Sequence, residues 1–329
     1  MLSENLPLKL KRGFLFAFSF ALFLIPGQNY YLTVQSFWHP AQTRQIEVGL
    51  PMLFYPINFT DSQTPQITAQ SVLVMDVDSA VALYAKNEND HFLPASTVKM
   101  MTALVALEQY QLDEILKVNK TNGFGQDMEL VEGEEISVNN LLYGLLVSSA
   151  NDAALVLAQN YPGGKTAFVA RMNQKAQELH LENTYFANPT GLDTDEEDEF
   201  LADFSYTTAL DLVHLSRWAL KNETFKQMVA IPQITVTDVS GRFKHQLYNI
   251  NALLTSLTGT KGVKTGWTEQ AGECLVSLVE RHGRGIVTVV LGSQDRFGET
   301  TKLIEWAFAN HQWKDIAPHH SMQDFNPSI

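Results

Sequence analysis

The sequence is poor in cysteine and in positive charge. Its 329 residues include one cysteine, Cys274, which excludes an internal disulfide framework and a zinc site built on cysteines. Acidic residues outnumber basic ones by 36 to 23, so the formal net charge is −13. Nucleic-acid binding without sequence preference needs a basic surface, and this balance argues against a nucleic-acid partner. The 9 histidines form no His-Glu-x-x-His motif, and we expect no metal or other cofactor.

A charge-free apolar stretch at residues 13–25 follows Lys9, Lys11 and Arg12. This is the layout of a signal peptide or a signal anchor. Thirteen helical residues reach only about 20 Å, short of a hydrocarbon core of about 30 Å, but the uncharged residues that follow could complete a span. We expect an uncleaved anchor over residues 1–40, with a cleaved signal peptide as the alternative. Either places the remainder on the extracytoplasmic (periplasmic or outer) face of the cell membrane.

The chain after the anchor divides by its residue pattern. Residues 41–66 are proline-rich without a clear period and are predicted to be a linker. Within 67–312, a hairpin comes first, a mostly helical middle follows, and consecutive strands and a closing helix come last. This order predicts an α+β fold in which one antiparallel sheet uses both ends of the segment and a helical subdomain is inserted between them. Residues 313–329 are predicted to be a polar tail.

Three short motifs occur in this framework. Ser96 and Lys99 form a Ser-x-x-Lys at a predicted helix start, Ser149-Ala-Asn151 falls in a break between two helices, and residues 264–266, Lys-Thr-Gly, lie on a strand. Singly they carry little information: Ser137-Val-Asn is a second Ser-x-Asn, which we interpret as a helix N-cap. Their joint occurrence in this order and in these contexts is specific.

The chemistry of these residue types is complementary. A serine hydroxyl is a poor nucleophile until a neighbour takes its proton, and Lys99, one helical turn away, can do so only as a neutral amine. Burial near other cations lowers the pKa of a lysine, and Lys264 is the expected second cation. Ser149 could relay a proton, and Asn151 could hold Lys99 and the substrate backbone by hydrogen bonds. The start of the Ser96 helix offers backbone N–H groups to an oxyanion.

The three motifs resemble the active-site signature of penicillin-recognising serine acyl-transferases. The surrounding segments LPASTVKMMTALVALE, FANPTGLD, GVKTGWTEQAGECLVS and ETTKLIEWAF are similar to those of the low-molecular-mass D-alanyl-D-alanine carboxypeptidases. The resemblance covers about residues 68–312. It implies the β-lactamase/transpeptidase-like fold, a five-stranded antiparallel sheet flanked by helices.

The resemblance also implies roles for the catalytic residues. Ser96 matches the acylated nucleophile and Lys99 its general base, while Ser149 and Asn151 match the second catalytic element. The backbone N–H groups of Ser96 and Trp267 match the oxyanion hole.

Substrate-binding roles follow from the same resemblance. Lys264 and Thr265 match the strand motif that binds the substrate carboxylate, with Gly266 giving the ligand room along the strand. Arg296 falls at the position of an arginine that fixes the terminal carboxylate, a task for which a guanidinium has suitable bidentate geometry. The local stretch GSQDRFGET differs from the usual one. Many such carboxypeptidases continue into a β-rich domain and a C-terminal membrane helix, whereas here the expected tether is the N-terminal segment.

The function implied is removal of the terminal D-Ala from peptidoglycan stem peptides through an acyl-enzyme, with β-lactams as inhibitors that acylate the same serine. A D,D-endopeptidase of peptidoglycan cross-links and a non-catalytic penicillin-binding scaffold are the alternatives; no glutamate can be assigned to the deacylation role of a β-lactamase. The acidic run at residues 193–199 could bind calcium, although a solvated acidic loop is the simpler interpretation.

Overall fold

A five-stranded antiparallel sheet is built from both ends of the described chain, in the strand order β3-β2-β10-β9-β8. The computed structural model describes residues 54–60, 62–119, 125–193 and 204–315, all within the unit Met52–Ile329. The strands are β1 (Phe54–Asn58), β2 (Ser71–Asp76), β3 (Ala82–Lys86), β4 (Ile115–Lys117), β5 (Glu135–Ser137), β6 (Gln233–Thr237), β7 (Lys244–Tyr248), β8 (Thr260–Thr268), β9 (Gly272–Arg281), β10 (Arg284–Ser293) and β11 (His311–Asp315). The predicted α+β architecture with a five-stranded antiparallel sheet is confirmed.

Most helices fall between β3 and β8, as the sequence predicts for the inserted subdomain. They are α1 (Lys99–Gln109), α2 (Val138–Val147), α3 (Asn151–Gln159), α4 (Gly164–Glu178), α5 (Ala209–Ala219), α6 (Glu223–Val229), α7 (Leu253–Ser256) and the closing α8 (Arg296–Asn310). A 3-10 turn, Ala95–Val98, leads directly into α1. Ser137 caps α2, its Oγ accepting a hydrogen bond from the Asn140 N–H at 3.3 Å, so the interpretation of this serine as an N-cap is confirmed.

Both faces of the central sheet are buried. Along β9, Val276 and Leu278 belong to one core cluster with the helical subdomain, while Leu275 and Val279 belong to a second cluster with Leu303 of α8. Successive side chains of a strand point to opposite faces, so a strand covered on both sides needs an unbroken apolar run rather than an alternating one. This explains why the run from Cys274 to Val279 is apolar except at the buried Ser277, and it leaves the cysteine as a buried core residue.

The predicted linker and tail are wrong where they meet the folded unit. Residues 54–58 of the predicted linker form β1, and 313–315 of the predicted tail belong to β11, with which β1 pairs antiparallel. Trp313 secures this small sheet, its Nε1 donating to Asp76 Oδ1 at 2.7 Å, and the Arg284 guanidinium lies over the Phe54 ring. A short strand that is held by a partner distant in sequence need not show an alternating hydrophobic pattern, so the sequence alone did not predict β1.

Other expectations concern residues outside those described. The anchor at 1–40 lies there, as does the acidic run beyond Asp193. Within the described residues, no helix has the length and apolarity needed to cross a membrane. Those residues also contain no group of three or more His, Cys, Asp or Glu side chains arranged to hold a metal ion.

Candidate active site

Ser96 occupies the 3-10 turn that opens onto α1, and it is half-buried while its neighbours are buried. The turn is fixed by Thr97, whose Oγ1 donates to the Pro94 carbonyl at 2.7 Å. Lys99 begins the α-helix, and its Nζ lies 2.9 Å from Ser96 Oγ. The structure therefore brings the two residues of the first motif into hydrogen-bond contact at the edge of a cleft.

Lys99 has no solvent exposure, and its ammonium is surrounded by oxygen atoms. Besides Ser96, Nζ donates to Asn151 Oδ1 at 2.6 Å and to the Thr190 carbonyl at 2.8 Å. Burial lowers the pKa of Lys99 from 10.5 to about 7, although Asp127 and Asp152 act in the opposite direction. Near neutral pH, a large fraction of the molecules therefore holds a neutral amine that can accept the Ser96 proton.

The second motif lies at the break between α2 and α3. Ser149 adopts a positive φ of 61°, which stops α2, and Asn151 begins α3. Ser149 is buried, and its Oγ accepts a hydrogen bond from Lys264 Nζ at 2.8 Å. The motif thus contacts both lysines of the site, Lys99 through Asn151 and Lys264 through Ser149.

Lys264, on β8, is the second buried lysine, and its Nζ also donates to the Thr265 carbonyl at 2.9 Å. Burial lowers the pKa of Lys264 well below its ordinary value, and the charges of Lys99 and Arg296 lower it further. Burial lowers the pKa of Lys99, as expected, but the charges that act on Lys99 are those of Asp127 and Asp152 rather than that of Lys264. The repulsion between the two lysines instead lowers the pKa of Lys264.

Arg296 is the first residue of α8, and it is anchored at both ends. Its backbone N–H donates to Glu273 Oε2, and its Nη1 donates to the Gly266 carbonyl, both at 2.8 Å. Its Nε is buried and has no hydrogen-bond partner within the part of the chain that the structure describes. The guanidinium therefore lies beside the third motif with a donor to spare.

Gly266 and Gly191 let β8 and the loop after α4 approach the Ser96 turn. A Cβ on Gly266 would lie 3.1 Å from the Ser96 nitrogen, and one on Gly191 would lie 2.0 Å from the Ala95 carbonyl oxygen. Gly191 has no room for a side chain, whereas at Gly266 a Cβ would be a tight contact that the Ser96 turn would have to yield to by a few tenths of an ångström. Together they allow the Ser96 turn to pack between a strand and a loop.

Gly191→Ala should therefore destabilise the protein by about 3 kcal/mol, from the clash with Ala95 and the strain of a positive φ. Chemical denaturation measures the change. The matched control is Gly133→Ala, at a similarly positive φ but with no atom within 4 Å of the added Cβ, which should cost about 1 kcal/mol. Equal losses in the two variants would show that the contact with Ala95 contributes nothing.

A cleft of about 510 Å³ runs past these groups. Ser96, Asn151, Thr265 and Arg296 line its floor and sides, and Trp267, which is 62% exposed, stands at its rim. The model of the D-alanyl-D-alanine carboxypeptidase family matches residues 58–295, most of the chain. The chain belongs to this family.

Individual relatives of the D-alanyl-D-alanine carboxypeptidase family differ in their named reactions. The carboxypeptidase DacF of Bacillus subtilis is 32% identical over 254 residues, which cover 74% of this chain and 63% of the relative. The chain thus spans less than two thirds of that protein's length. A D-alanyl-D-alanine endopeptidase of Pseudomonas aeruginosa is 34% identical over 73% of this chain and 77% of the relative. The crystal structure of the Streptomyces K15 DD-transpeptidase superposes with a TM-score of 0.69 at 30% identity, covering 75% of this chain and all of the other.

The family's site here includes residues that the motifs did not reveal. The Thr190 carbonyl accepts from Lys99, and Asn188 shapes its loop, its Oδ1 accepting from the Gly191 N–H at 2.7 Å. Thr102 of α1 ties the loop to the helix by donating to the Pro189 carbonyl at 2.7 Å. In the sequence, Asn-Pro-Thr-Gly contributed only to the family resemblance. A backbone carbonyl carries no residue-type signal, so its role as a ligand of Lys99 needed the structure.

Proposed function

We propose that the chain is a serine D-alanyl-D-alanine carboxypeptidase that removes the terminal D-Ala of peptidoglycan stem peptides through an acyl-enzyme on Ser96. The observation that carries the proposal is the buried Lys99, with its Nζ 2.9 Å from Ser96 Oγ and its pKa lowered to about 7 by burial. A serine hydroxyl beside a neutral buried amine is an activated nucleophile. Membership of the family supports the choice of substrate.

Acylation begins when neutral Lys99 takes the hydroxyl proton of Ser96 and Oγ attacks the carbonyl carbon of the D-Ala–D-Ala bond. We assign the developing oxyanion to the backbone N–H groups of Ser96 and Trp267. The leaving amine of D-Ala needs a proton, and Ser149, bonded to Lys264, is the group we assign to relay to it the proton that Lys99 took from Ser96. Lys99 is then neutral again and takes a proton from the water that attacks the ester carbonyl, and this proton returns to Ser96 Oγ as the ester bond breaks.

We assign recognition of the terminal carboxylate to Lys264, Thr265 and Arg296. Lys264 and Thr265 are adjacent on β8, and the Arg296 guanidinium reaches the same strand through the Gly266 carbonyl. The guanidinium lines the cleft, and this position supports a role in binding an anion. β-Lactams carry a carboxylate and a reactive carbonyl, so they should occupy the same groups.

The proposal is tested with the full chain and two substrates. Diacetyl-Lys-D-Ala-D-Ala should release D-Ala, and penicillin should leave an adduct that peptide mapping by mass spectrometry assigns to the peptide containing Ser96. Faster cleavage of a cross-linked muropeptide dimer than of a pentapeptide would favour the D,D-endopeptidase, the reaction in the name of the Pseudomonas aeruginosa relative. An adduct without D-Ala release or cross-link cleavage would favour the non-catalytic scaffold. Absence of any adduct would overturn the proposal.

The rate of acylation should show a single pH-dependent transition, centred near pH 7. Only the neutral amine accepts a proton, so the second-order rate constant for penicillin should fall about tenfold for each pH unit below 7 and level off above it. Stopped-flow measurements from pH 5 to 9 give the midpoint. A rate that does not change across this range would mean that the Ser96 proton leaves by a route other than Lys99.

We also propose that the enzyme acts on the extracytoplasmic face of the cell membrane, attached by residues 1–40. The support is the basic cluster that precedes the apolar stretch at 13–25. Protease added to intact spheroplasts should degrade the catalytic segment, and the protein should sediment with membranes. Protection from the protease would overturn this localisation.

A further inference from the structure

A buried histidine outside the catalytic motifs holds a loop that forms one wall of the cleft. His245, on β7, has its Nδ1 2.7 Å from the Met128 carbonyl oxygen and its Nε2 2.7 Å from Glu134 Oε1. Both side chains are almost completely buried. A carbonyl oxygen only accepts hydrogen bonds, so Nδ1 must carry a proton and donate it to Met128. The second oxygen of Glu134 is also occupied, accepting from the Val131 N–H at 3.0 Å.

The same methionine is held through its other backbone group. The Met128 N–H donates to Asp152 Oδ1 at 3.1 Å, and the Leu130 N–H donates to Asp152 Oδ2 at 3.0 Å. Asp152 belongs to α3 and His245 to a strand more than 90 residues later, so two distant elements fix this loop from opposite sides. We name residues 125–131, fixed in this way, the clamped loop.

The clamped loop contacts the catalytic residues directly. The Gln126 carbonyl accepts from the Asn151 N–H at 2.6 Å, and Asp127 Oδ1 accepts from the Asp152 N–H at 3.1 Å. Gly125 and Gln126 line the cleft beside Asn151, whose Oδ1 accepts from Lys99. A displacement of the loop would therefore move Asn151, and with it the oxygen that orients the catalytic amine.

We propose that His245 is a positioning residue for the acylation reaction, acting through Met128 and the clamped loop on Asn151 and Lys99. The inference rests on the proposed function, because its measure is the acylation of Ser96. The working contact is the Nδ1 hydrogen bond to Met128, whereas the Nε2 contact is with Glu134, which holds the clamped loop only at its last residue, Val131.

Two substitutions separate the contacts, because each places an amide nitrogen at the position of one of the two ring nitrogens. In His245→Asn, the amide nitrogen takes the place of Nδ1 and keeps the bond to Met128. In His245→Gln, the amide nitrogen takes the place of Nε2 and keeps the bond to Glu134. His245→Asn leaves the buried Glu134 carboxylate without its imidazole partner, so it should be the less stable of the two.

The proposal predicts the opposite order for kinetics. His245→Asn should acylate with penicillin within about threefold of wild type, whereas His245→Gln should be slower by about tenfold. Acylation rate constants are measured on the full chain, with the folded fraction set by the burst of bound penicillin, and melting temperatures are measured in parallel. A purely structural role would make the slower variant the less stable one.

The pH midpoint of acylation provides an independent readout. The charged groups that face Lys99 are Asp127 and Asp152, which raise its pKa, and Lys264 on the strand side; those that face His245 are Glu134 and Asp152. Asn151 Oδ1 stabilises the ammonium form of Lys99 by accepting a hydrogen bond from it. Displacement of this oxygen in His245→Gln should therefore lower the pH midpoint of acylation by about one pH unit. His245→Asn should leave the midpoint unchanged.

A control variant and a replacement variant separate failure of the positioning role from failure of the proposed function. His311→Asn alters another buried histidine whose Nδ1 bonds a backbone carbonyl, that of Ala307, and should leave acylation unchanged. If His245→Asn fails to fold, Glu134→Gln replaces it, since it also spares the Met128 bond. Wild type that forms no adduct would overturn the proposed function. If the wild type is acylated but the two His245 variants react at equal rates, the positioning role alone is overturned. The same conclusion follows if the less stable of the two variants is also the slower one.

Discussion

Ser96→Ala should yield a folded protein that binds no labelled penicillin covalently and releases D-Ala about ten-thousandfold more slowly than wild type. The substitution removes the single oxygen that can carry the acyl group. It should barely affect stability, because Ser96 is half-buried and Lys99 retains its bonds to Asn151 and Thr190. Intact mass spectrometry after incubation with penicillin measures the adduct, and an assay of free D-Ala measures turnover.

The matched control is Ser148→Ala, next to the second motif. Ser148 Oγ donates to the Gly144 carbonyl at the end of α2 and takes no part in the contacts of Lys99 or Lys264. This variant should acylate as wild type does. An adduct of full stoichiometry in Ser96→Ala would show that another residue is the nucleophile, and the role proposed for the turn before α1 would fail.

The local geometry of the three motifs was predictable because each motif is short, whereas the roles of their residues were implied by the family resemblance. The spacing of Ser96 and Lys99 places them one turn apart on any helix, and a break after α2 was visible in Ser-Ser-Ala-Asn-Asp. The apolar runs of β9 and β10 predicted neighbouring strands for the same reason. Short-range geometry follows from residue order alone, so these expectations needed no knowledge of the fold.

Contacts between distant segments could not be predicted in this way. The Thr190 carbonyl meets Lys99 across 91 residues, and His245 meets Met128 across 117. Neither contact follows from a pattern, because one partner in each is a backbone carbonyl, which every residue has. Asp152 follows Asn151 directly in the second motif, and this adjacency was the one available signal for its place beside the site. Its two hydrogen bonds to the clamped loop required the structure.

The burial of Lys99 is costly for the fold. A pKa lowered from 10.5 to about 7 corresponds to about 5 kcal/mol of lost stability at and below pH 7. The sign follows from proton counts: between pH 7 and 10.5 the unfolded chain binds a proton at Lys99 and the folded chain does not, so stability rises with pH across this window. The penalty is absent above 10.5. A residue kept at such a cost is expected to serve function rather than stability.

Lys99→Met should therefore separate activity from stability. Methionine fills a similar volume without a charge, so the variant should be at least as stable as wild type at pH 7, even though Asn151 Oδ1 and the Thr190 carbonyl each lose a donor. Acylation by penicillin should fall about a thousandfold or more, because no base remains 2.9 Å from Ser96 Oγ. The two quantities are measured by urea denaturation at several pH values and by the rate of adduct formation.

The pH dependence of the stability difference makes the test specific. Relative to wild type, Lys99→Met should have its largest gain in stability at and below pH 7 and should lose that gain progressively up to pH 10.5, above which the wild-type amine is neutral in both the folded and the unfolded state. Lys86→Met is the control: its half-buried Nζ donates to the Ala69 carbonyl at the far edge of the sheet, so acylation should be unchanged. If the stability difference between the variant and the wild type does not vary between pH 7 and 10.5, burial does not lower the pKa of Lys99 to about 7. The lysine could then not act as the base in the way that its contacts imply.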